Sequence, residues 1–169
     1  MLSQLPKRSV LSHYPQSWTN KVENHIPVND TPIPLFSFYS YKSHNRLIDR
    51  NNLFVQGLSV AGGFMFMKGE ALLEVPYDRN LDWVFNGEEF LFSARLYTHG
   101  YDFFSPSKNL AYHHYEREGE PKFHEDHRFS MDTPIKTVEN RITNPPPGYF
   151  GNIRTVNDYM EFLKQALKY

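Results

Sequence analysis

Apolar positions along the chain fall into short runs broken by proline and glycine. Residues 1–57 are mostly irregular in pattern. Val10 and Leu11 mark a short strand-like piece ahead of Tyr14-Pro15, and Pro27, Pro32 and Pro34 break up the next stretch. LFSFYSY over 35–41 alternates apolar with small polar residues, the two-residue period of a strand. The most apolar run, LSVAGGFMFM over 58–67, is short and bounded by Lys68-Gly69, which predicts a buried strand. Gly62 and Gly63 interrupt it. Paired glycines there mark a bulge or a place where something approaches the backbone closely.

Helical spacing comes next. A short piece is expected over 70–74, ended by Pro76. EEFLFSARLYTH over 88–99 is the best central helix: Asn86-Gly87 precede it, Gly100 follows it, and Leu91, Phe92 and Leu96 share one face. YDFF (101–104) and NLAYHHY (109–115) read as strands, and the charged stretch 116–128 as a mobile loop. NPPPG (144–148) reads as a rigid extended connector. A terminal helix is expected over 155–168, opened by a capping-box pattern of Thr155 and Asp158, with Val156, Tyr159, Met160, Leu163 and Leu167 at helical spacing. No internal repeat is visible.

Composition narrows the class. The 169 residues suit one domain, since domains run to about 150 residues. The 18 Lys+Arg against 19 Asp+Glu leave a formal charge of −1, which argues against nucleic acid as a partner. Apolar residues make up 40%, and at 16% aromatics, Phe and Tyr must supply much of a thin core. Such a core suggests part of a larger unit. With no Cys, disulfides and thiolate metal sites are excluded, which fits a reducing compartment. No run approaches the roughly 18 apolar residues of a membrane span. The first fifteen residues lack the apolar core of a signal peptide, so the expected location is cytoplasmic.

Several groups could carry chemistry, each beside a plainer reading. Glu88 and Glu89 at a helix start could bind sugar hydroxyls or handle a proton, because crowding raises one carboxyl pKa. The same pair is also what helix capping and the helix dipole favour. In Tyr112-His113-His114-Tyr115, a strand would send the two histidines to opposite faces, so one faces a core or site and the other faces away. Such a histidine is a metal ligand or a hydrogen-bonded structural residue. His124-Glu125-Asp126-His127 offers metal-capable groups without the helical HExxH spacing, as a solvated charge cluster would. Ala61-Gly62-Gly63 matches neither a dinucleotide fingerprint nor a P-loop; its glycines admit a ligand or a structural bulge. No D-x-D or D-x-H occurs.

AGGFMF (61–66), VPYD (75–78), WVFNGEEFLFSARLYTHGYDFFSP (83–106) and LAYHHYER (110–117) occur in that order. With RSVLSHYP (8–15) and GNIRTVNDYMEFL (151–163) at the flanks, the chain resembles the hydroxyproline polypeptide N-acetylglucosaminyltransferases. More distantly it is similar to the polypeptide N-acetylgalactosaminyltransferases. The resemblance covers nearly the whole chain, and its specific part is the central block from GEE to HHY. It implies an α/β fold, the C-terminal half of a GT-A glycosyltransferase: a mixed sheet flanked by helices, Pro-rich connectors and a C-terminal helix. The activity implied is transfer of N-acetylglucosamine from UDP-GlcNAc to a protein hydroxyl, with retention. Catalytic positions would be Glu88, as a sugar-orienting carboxylate, with Glu89 beside it. The donor pocket would be lined by Gly62, Gly63 and Trp83, with Arg117 near the diphosphate. His113 would be the late ligand of a divalent metal, Mn²⁺.

The chain departs from this family in lacking the half that carries D-x-D. Residues 1–169 are therefore expected to form a single, partial catalytic domain without the nucleotide-binding half. It would hold metal weakly, because Mn²⁺ prefers oxygen ligands, and would be weakly active or inactive alone. A partner chain supplying the other half, or self-association through an exposed sheet edge and apolar surface, is expected. The alternative is a non-catalytic glycan- or protein-binding module derived from such an enzyme.

Overall fold

In the computed structural model the described residues are 4–18, 34–35, 38–39, 53–85, 87–107, 109–116, 118–121 and 132–166. In chain order their elements are β1 (Ser9–Ser12), β2 (Gln16–Ser17), β3 (Pro34–Leu35), β4 (Phe38–Tyr39), β5 (Phe54–Gln56), β6 (Met65–Phe66), α1 (Gly69–Glu74), α2 (Glu88–Thr98), β7 (Asp102–Pro106), β8 (Tyr112–His113), α3 (Asp132–Thr143) and α4 (Val156–Ala166). The fold is mixed α/β. Its main sheet runs β5-β7-β1-β6, with β1 and β7 parallel and both outer strands antiparallel. Beside it β2 and β8 pair in parallel, Ser17 opposite His113. Helices flank the sheet, as the resemblance implies.

Helix α2 organises the core. Phe90, Leu91, Phe92, Ala94 and Leu96 are buried with Val10, Val60, Phe103 and Tyr159. Burying each large side chain contributes about 1.5–3 kcal/mol. The expected apolar face of α2 is thus correct, but burial goes most of the way round the helix, because α3 and α4 cover it from other sides. The helix begins at Gly87, whose φ of 94° is left-handed and whose added Cβ would lie 2.8 Å from Val138 on α3, so only glycine fits. It ends at Gly100, φ 86°, where the Gly100 and Tyr101 amides donate to the Tyr97 and Leu96 carbonyls at 2.9 and 3.0 Å. That pair of bonds is a Schellman stop.

Helix α4 opens with the expected reciprocal cap: Asp158 N–H to Thr155 Oγ1 at 3.0 Å and Thr155 N–H to Asp158 Oδ2 at 2.7 Å. Its Tyr159 is fully buried and donates to the Leu58 carbonyl at 3.0 Å, tying the helix to the sheet layer.

Four expectations need correction. LSVAGGFMFM does not run as one strand. It reverses at Gly62-Gly63, where Ala61 and Phe64 bridge, and only Met65 and Phe66 reach β1. Of the 35–41 stretch, the described residues fall in two strands rather than one, with Leu35 of β3 pairing antiparallel with Phe38 of β4. Only Tyr112–His113 of the 109–115 run is strand, because its partner β2 is two residues long. NPPPG is not simply extended, for the Tyr149 amide closes a turn on the Pro146 carbonyl at 3.0 Å, with Gly148 at φ 73°. Helix α3 has no counterpart in the sequence reading. Pro134 sits in its first turn, where proline costs no helical hydrogen bond but breaks the helical pattern to the eye. Most of the 116–128 stretch lies outside the described residues.

Candidate functional site

Three segments far apart in sequence meet at the N-terminal end of α2. The first is the Gly62-Gly63 turn, held by side chains from two elements. The Val60 amide donates to Ser93 Oγ at 3.0 Å, the Ala61 amide to Ser12 Oγ at 2.8 Å, and the Gly62 amide to Glu89 Oε1 at 2.6 Å. Consecutive amides that would otherwise be orphaned at a tight turn are thereby satisfied. Gly63 packs against Pro15, and a Cβ there would come within 2.7 Å of the proline ring. The paired glycines form a tight turn rather than a strand bulge, and Gly63 makes a close approach to Pro15.

The second segment follows β1. Tyr14 donates its hydroxyl to Glu89 Oε2, so both oxygens of Glu89 are engaged. The third is β8 and its continuation. Tyr115 donates to the Pro15 carbonyl at 2.7 Å, and its ring lies 4.3 Å from the His113 ring. The Trp18 amide donates to the His113 carbonyl at 3.1 Å. A continuous set of contacts therefore runs from Gly62 through Glu89, Tyr14, Pro15 and Tyr115 to His113. Burial and the Glu89 charge push the Tyr115 phenol up.

Glu88 has a different setting. No described residue hydrogen-bonds its carboxylate. Its Oε1 lies 3.6 Å from where a Gly62 Cβ would be, and on its other side it lines a cleft with Tyr77, Asp78, Phe92, Arg95 and Tyr149. Burial, helped by the neighbouring Glu89 charge, raises its pKa from 4.5 to about 7. The two carboxylates therefore divide: Glu89 is pinned, and Glu88 is open to the cleft and able to accept or donate a hydrogen bond near neutrality.

The two histidines separate, although β8 ends at His113 and His114 lies just beyond the strand. His114 is exposed and meets the Trp18 ring edge-on at 5.1 Å. His113 is partly buried, and its Nδ1 is buried without a hydrogen-bond partner among the described residues. An orphaned imidazole nitrogen of this kind fits a metal ligand. The described residues gather no group of three or more metal-capable side chains, so His113 fits one ligand position rather than a complete site. Trp83 lies on the segment just after Leu81, which also lines the cleft; it is 54% exposed and has φ 63°, a strained value for a residue with a Cβ. Arg117 and the His124–His127 cluster lie outside the described residues.

Sequence reasoning passed over Tyr14, Tyr149 and Arg95. The first was legible only as the residue before a proline. Arg95 was hidden within a helical face: it is buried, with Nε on the Tyr149 carbonyl at 3.1 Å and Nη1 on the Pro76 carbonyl. Asp78 has both oxygens engaged, Oδ1 by the Asn80 amide and Oδ2 by Arg141, each at 2.9 Å. Burial alone would raise its carboxyl, but the Asn80 amide, Arg141 and the Tyr149 hydroxyl hold it below the usual range.

Comparison with known families places the chain among the glycosyltransferases. More specifically, the chain belongs to the family described as Glycosyltransferase (GlcNAc), whose model matches residues 1–144. The matched range takes in the glycine turn, α2 and β8; residues 151–163, counted by resemblance as the closing segment, lie beyond it. No curated protein and no solved structure matches the chain. Among the described residues no helix is long and apolar enough to cross a membrane.

Proposed function

We propose that this chain binds UDP-N-acetylglucosamine and transfers its sugar, with retention, to a protein hydroxyl. The acceptor suggested by resemblance is hydroxyproline. The observation that carries the reading is the placement of Glu88: a carboxylate free of hydrogen bonds to any described residue, at a helix start, beside the Gly62 turn and open to a cleft. A carboxylate so placed binds sugar hydroxyls and orients the anomeric carbon for attack. Glu88 is not assigned as a base, because a retaining transfer needs no in-line general base. Gly62 and Gly63 keep the turn thin enough for a sugar to approach, and Trp83 offers an aromatic face near the cleft. Glu89 holds the turn in place.

A divalent metal, Mn²⁺ in this reading, would neutralise charge on the departing diphosphate. His113 would be one of its ligands, the others coming from outside the described residues or from a partner chain, and Arg117 would lie near the diphosphate. Residues 1–169 then supply the donor-sugar and acceptor side of a GT-A site, and activity of the chain by itself is weak. A cytoplasmic setting is part of the same proposal.

Calorimetric titration of UDP-GlcNAc into wild type and Glu88→Ala tests the role of Glu88. The expected result is at least about tenfold weaker binding of UDP-GlcNAc to the variant, with UDP itself unaffected. Equal affinities would remove Glu88 from the donor site. Binding of free glycans without nucleotide preference would favour the alternative, a non-catalytic glycan-binding module.

A further inference from the structure

His13, just after β1, is fully buried, and three segments close on its ring. Its Nδ1 lies 3.0 Å from the Tyr14 carbonyl. Its Nε2 lies 3.4 Å from the Leu110 amide, on the connection from β7 to β8. The Phe64 ring, from the glycine turn, packs against it with centroids 4.8 Å apart. The two backbone partners fix the proton. A carbonyl only accepts, so Nδ1 carries the hydrogen; an amide only donates, so Nε2 is bare. The neutral imidazole satisfies both. The imidazolium does not: its Nε2–H would point at the Leu110 N–H, donor against donor, and a charge would be buried unpaired.

Among the described residues no carboxylate bonds to the ring. The titratable groups brought by the segments around it are the Tyr14 phenol, which donates to Glu89, and the Tyr115 phenol, which donates to the Pro15 carbonyl. Burial lowers the pKa of His13 from 6.5, against a smaller opposing effect of the Tyr14 carbonyl. Of the three segments, the one carrying Leu110 is the least tied. Leu110 is 40% exposed, between a Ser107 amide bonded to the Leu53 carbonyl at 3.0 Å and a His113 carbonyl bonded to the Trp18 amide at 3.1 Å. Strand β8 beyond it has two residues, paired with a strand of two, whereas β1 lies inside the four-stranded sheet.

We propose that His13 is a proton-operated latch. Neutral, it holds residues 109–111 down and keeps β8 in register on β2. Protonated, it releases them, and β8 loosens while the main sheet stays folded. The β8 side of the site, with His113 and Tyr115, is then assembled at neutral pH and loosened in acid. The latch goes beyond the donor reading and does not rest on it.

Imidazole nitrogen NMR and amide hydrogen exchange on the full chain, followed between pH 8 and 5, test the latch. The expected result is an Nε2 of His13 that is bare at pH 8 and protonated with a midpoint below 6.5. At that same midpoint the Leu110 and Trp18 amides should lose at least about tenfold in protection, corrected for the intrinsic pH dependence of exchange. Val10 and Phe103 in the main sheet should keep theirs. In His13→Gln, whose side chain donates to Tyr14 and accepts from Leu110 without titrating, protection of Leu110 should not depend on pH. Unchanged Leu110 protection through the His13 titration, or the same loss in His13→Gln, would overturn the proposal. So would loss at Val10 and Phe103 with the same midpoint, which is global acid unfolding. Should His13→Gln not fold, the wild type decides alone, because differing midpoints for the imidazole and the Leu110 amide overturn the latch. No readout involves a nucleotide sugar, so the latch and the donor reading fail separately.

Discussion

Replacing Glu88 by glutamine should stabilise the protein, and by an amount set by pH. The carboxyl titrates near 7 in the fold against 4.5 ordinarily, because burial and the Glu89 charge disfavour its ionised form. A difference of that size corresponds to about 3 kcal/mol at roughly 1.4 kcal/mol per tenfold. The cleft is open and Glu88 only partly buried, so solvent screening reduces this to about 2 kcal/mol. The sign comes from linkage. Where a folded pKa is raised, the neutral form's contribution is present in full below the unfolded value of 4.5 and is lost as pH rises through about 7. At pH 8 the wild type therefore carries the full cost of a charged Glu88, and Glu88→Gln removes it. The variant should gain about 2 kcal/mol there, roughly 5 °C in Tm for a domain of this size. The gain should shrink through the window from about 7 to 4.5 and be small at pH 5. Urea unfolding of both proteins at pH 8, 6.5 and 5, monitored by far-UV circular dichroism, measures it. A gain independent of pH, or a loss at pH 8, would refute the argument.

Other outcomes are expected from the same geometry. His13 is fully buried, with Nδ1 against the Tyr14 carbonyl at 3.0 Å and Nε2 accepting from the Leu110 amide at 3.4 Å, and burial lowers its pKa from 6.5. Its neutral form stabilises the fold above pH 6.5, and that contribution is lost as pH falls below; His13→Gln should flatten the fall in Tm between pH 7 and 5, and an unchanged slope would exclude this role. Leu91→Ala, at a fully buried site in α2, should cost about 2–5 kcal/mol in chemical denaturation, and under 1 kcal/mol would mean the core is elsewhere. Gly63→Ala places a methyl 2.7 Å from the Pro15 ring and should weaken donor binding by displacing the Tyr14–Pro15 segment, with far-UV dichroism unchanged; unaltered affinity would mean that this contact does not hold the site. Thr155→Ala removes half of the α4 cap and should cost about 1 kcal/mol of stability, read from the urea midpoint.

Much of the frame was legible because it rests on local rules. The start and stop of α2 are set by Gly87 and Gly100, whose left-handed φ values admit little else. The Thr155–Asp158 box announced α4. The illegible features depend on distant partners. The apolar run 58–67 looked like one strand because hydrophobicity cannot show that Ser12, Ser93 and Glu89 capture successive amides and turn the chain. Glu88 and Glu89 looked alike as neighbours at a helix start. They differ only because Tyr14 and Gly62, at 75 and 27 residues' separation, occupy one and leave the other. His113 was separable from His114 by strand alternation alone, but its unpartnered nitrogen was not. Tyr149 gave no signal beyond its place after a proline-rich turn.

The central claim is that His113 and the Glu88 cleft belong to one nucleotide-sugar site. The most direct test is calorimetric titration of UDP-GlcNAc with Mn²⁺ and again with EDTA, for wild type and His113→Ala. The account predicts binding to wild type that weakens on chelation, and no effect of chelation in His113→Ala, whose circular dichroism matches wild type. Binding equally tight with and without metal, or a His113→Ala variant that keeps full metal dependence, would contradict it.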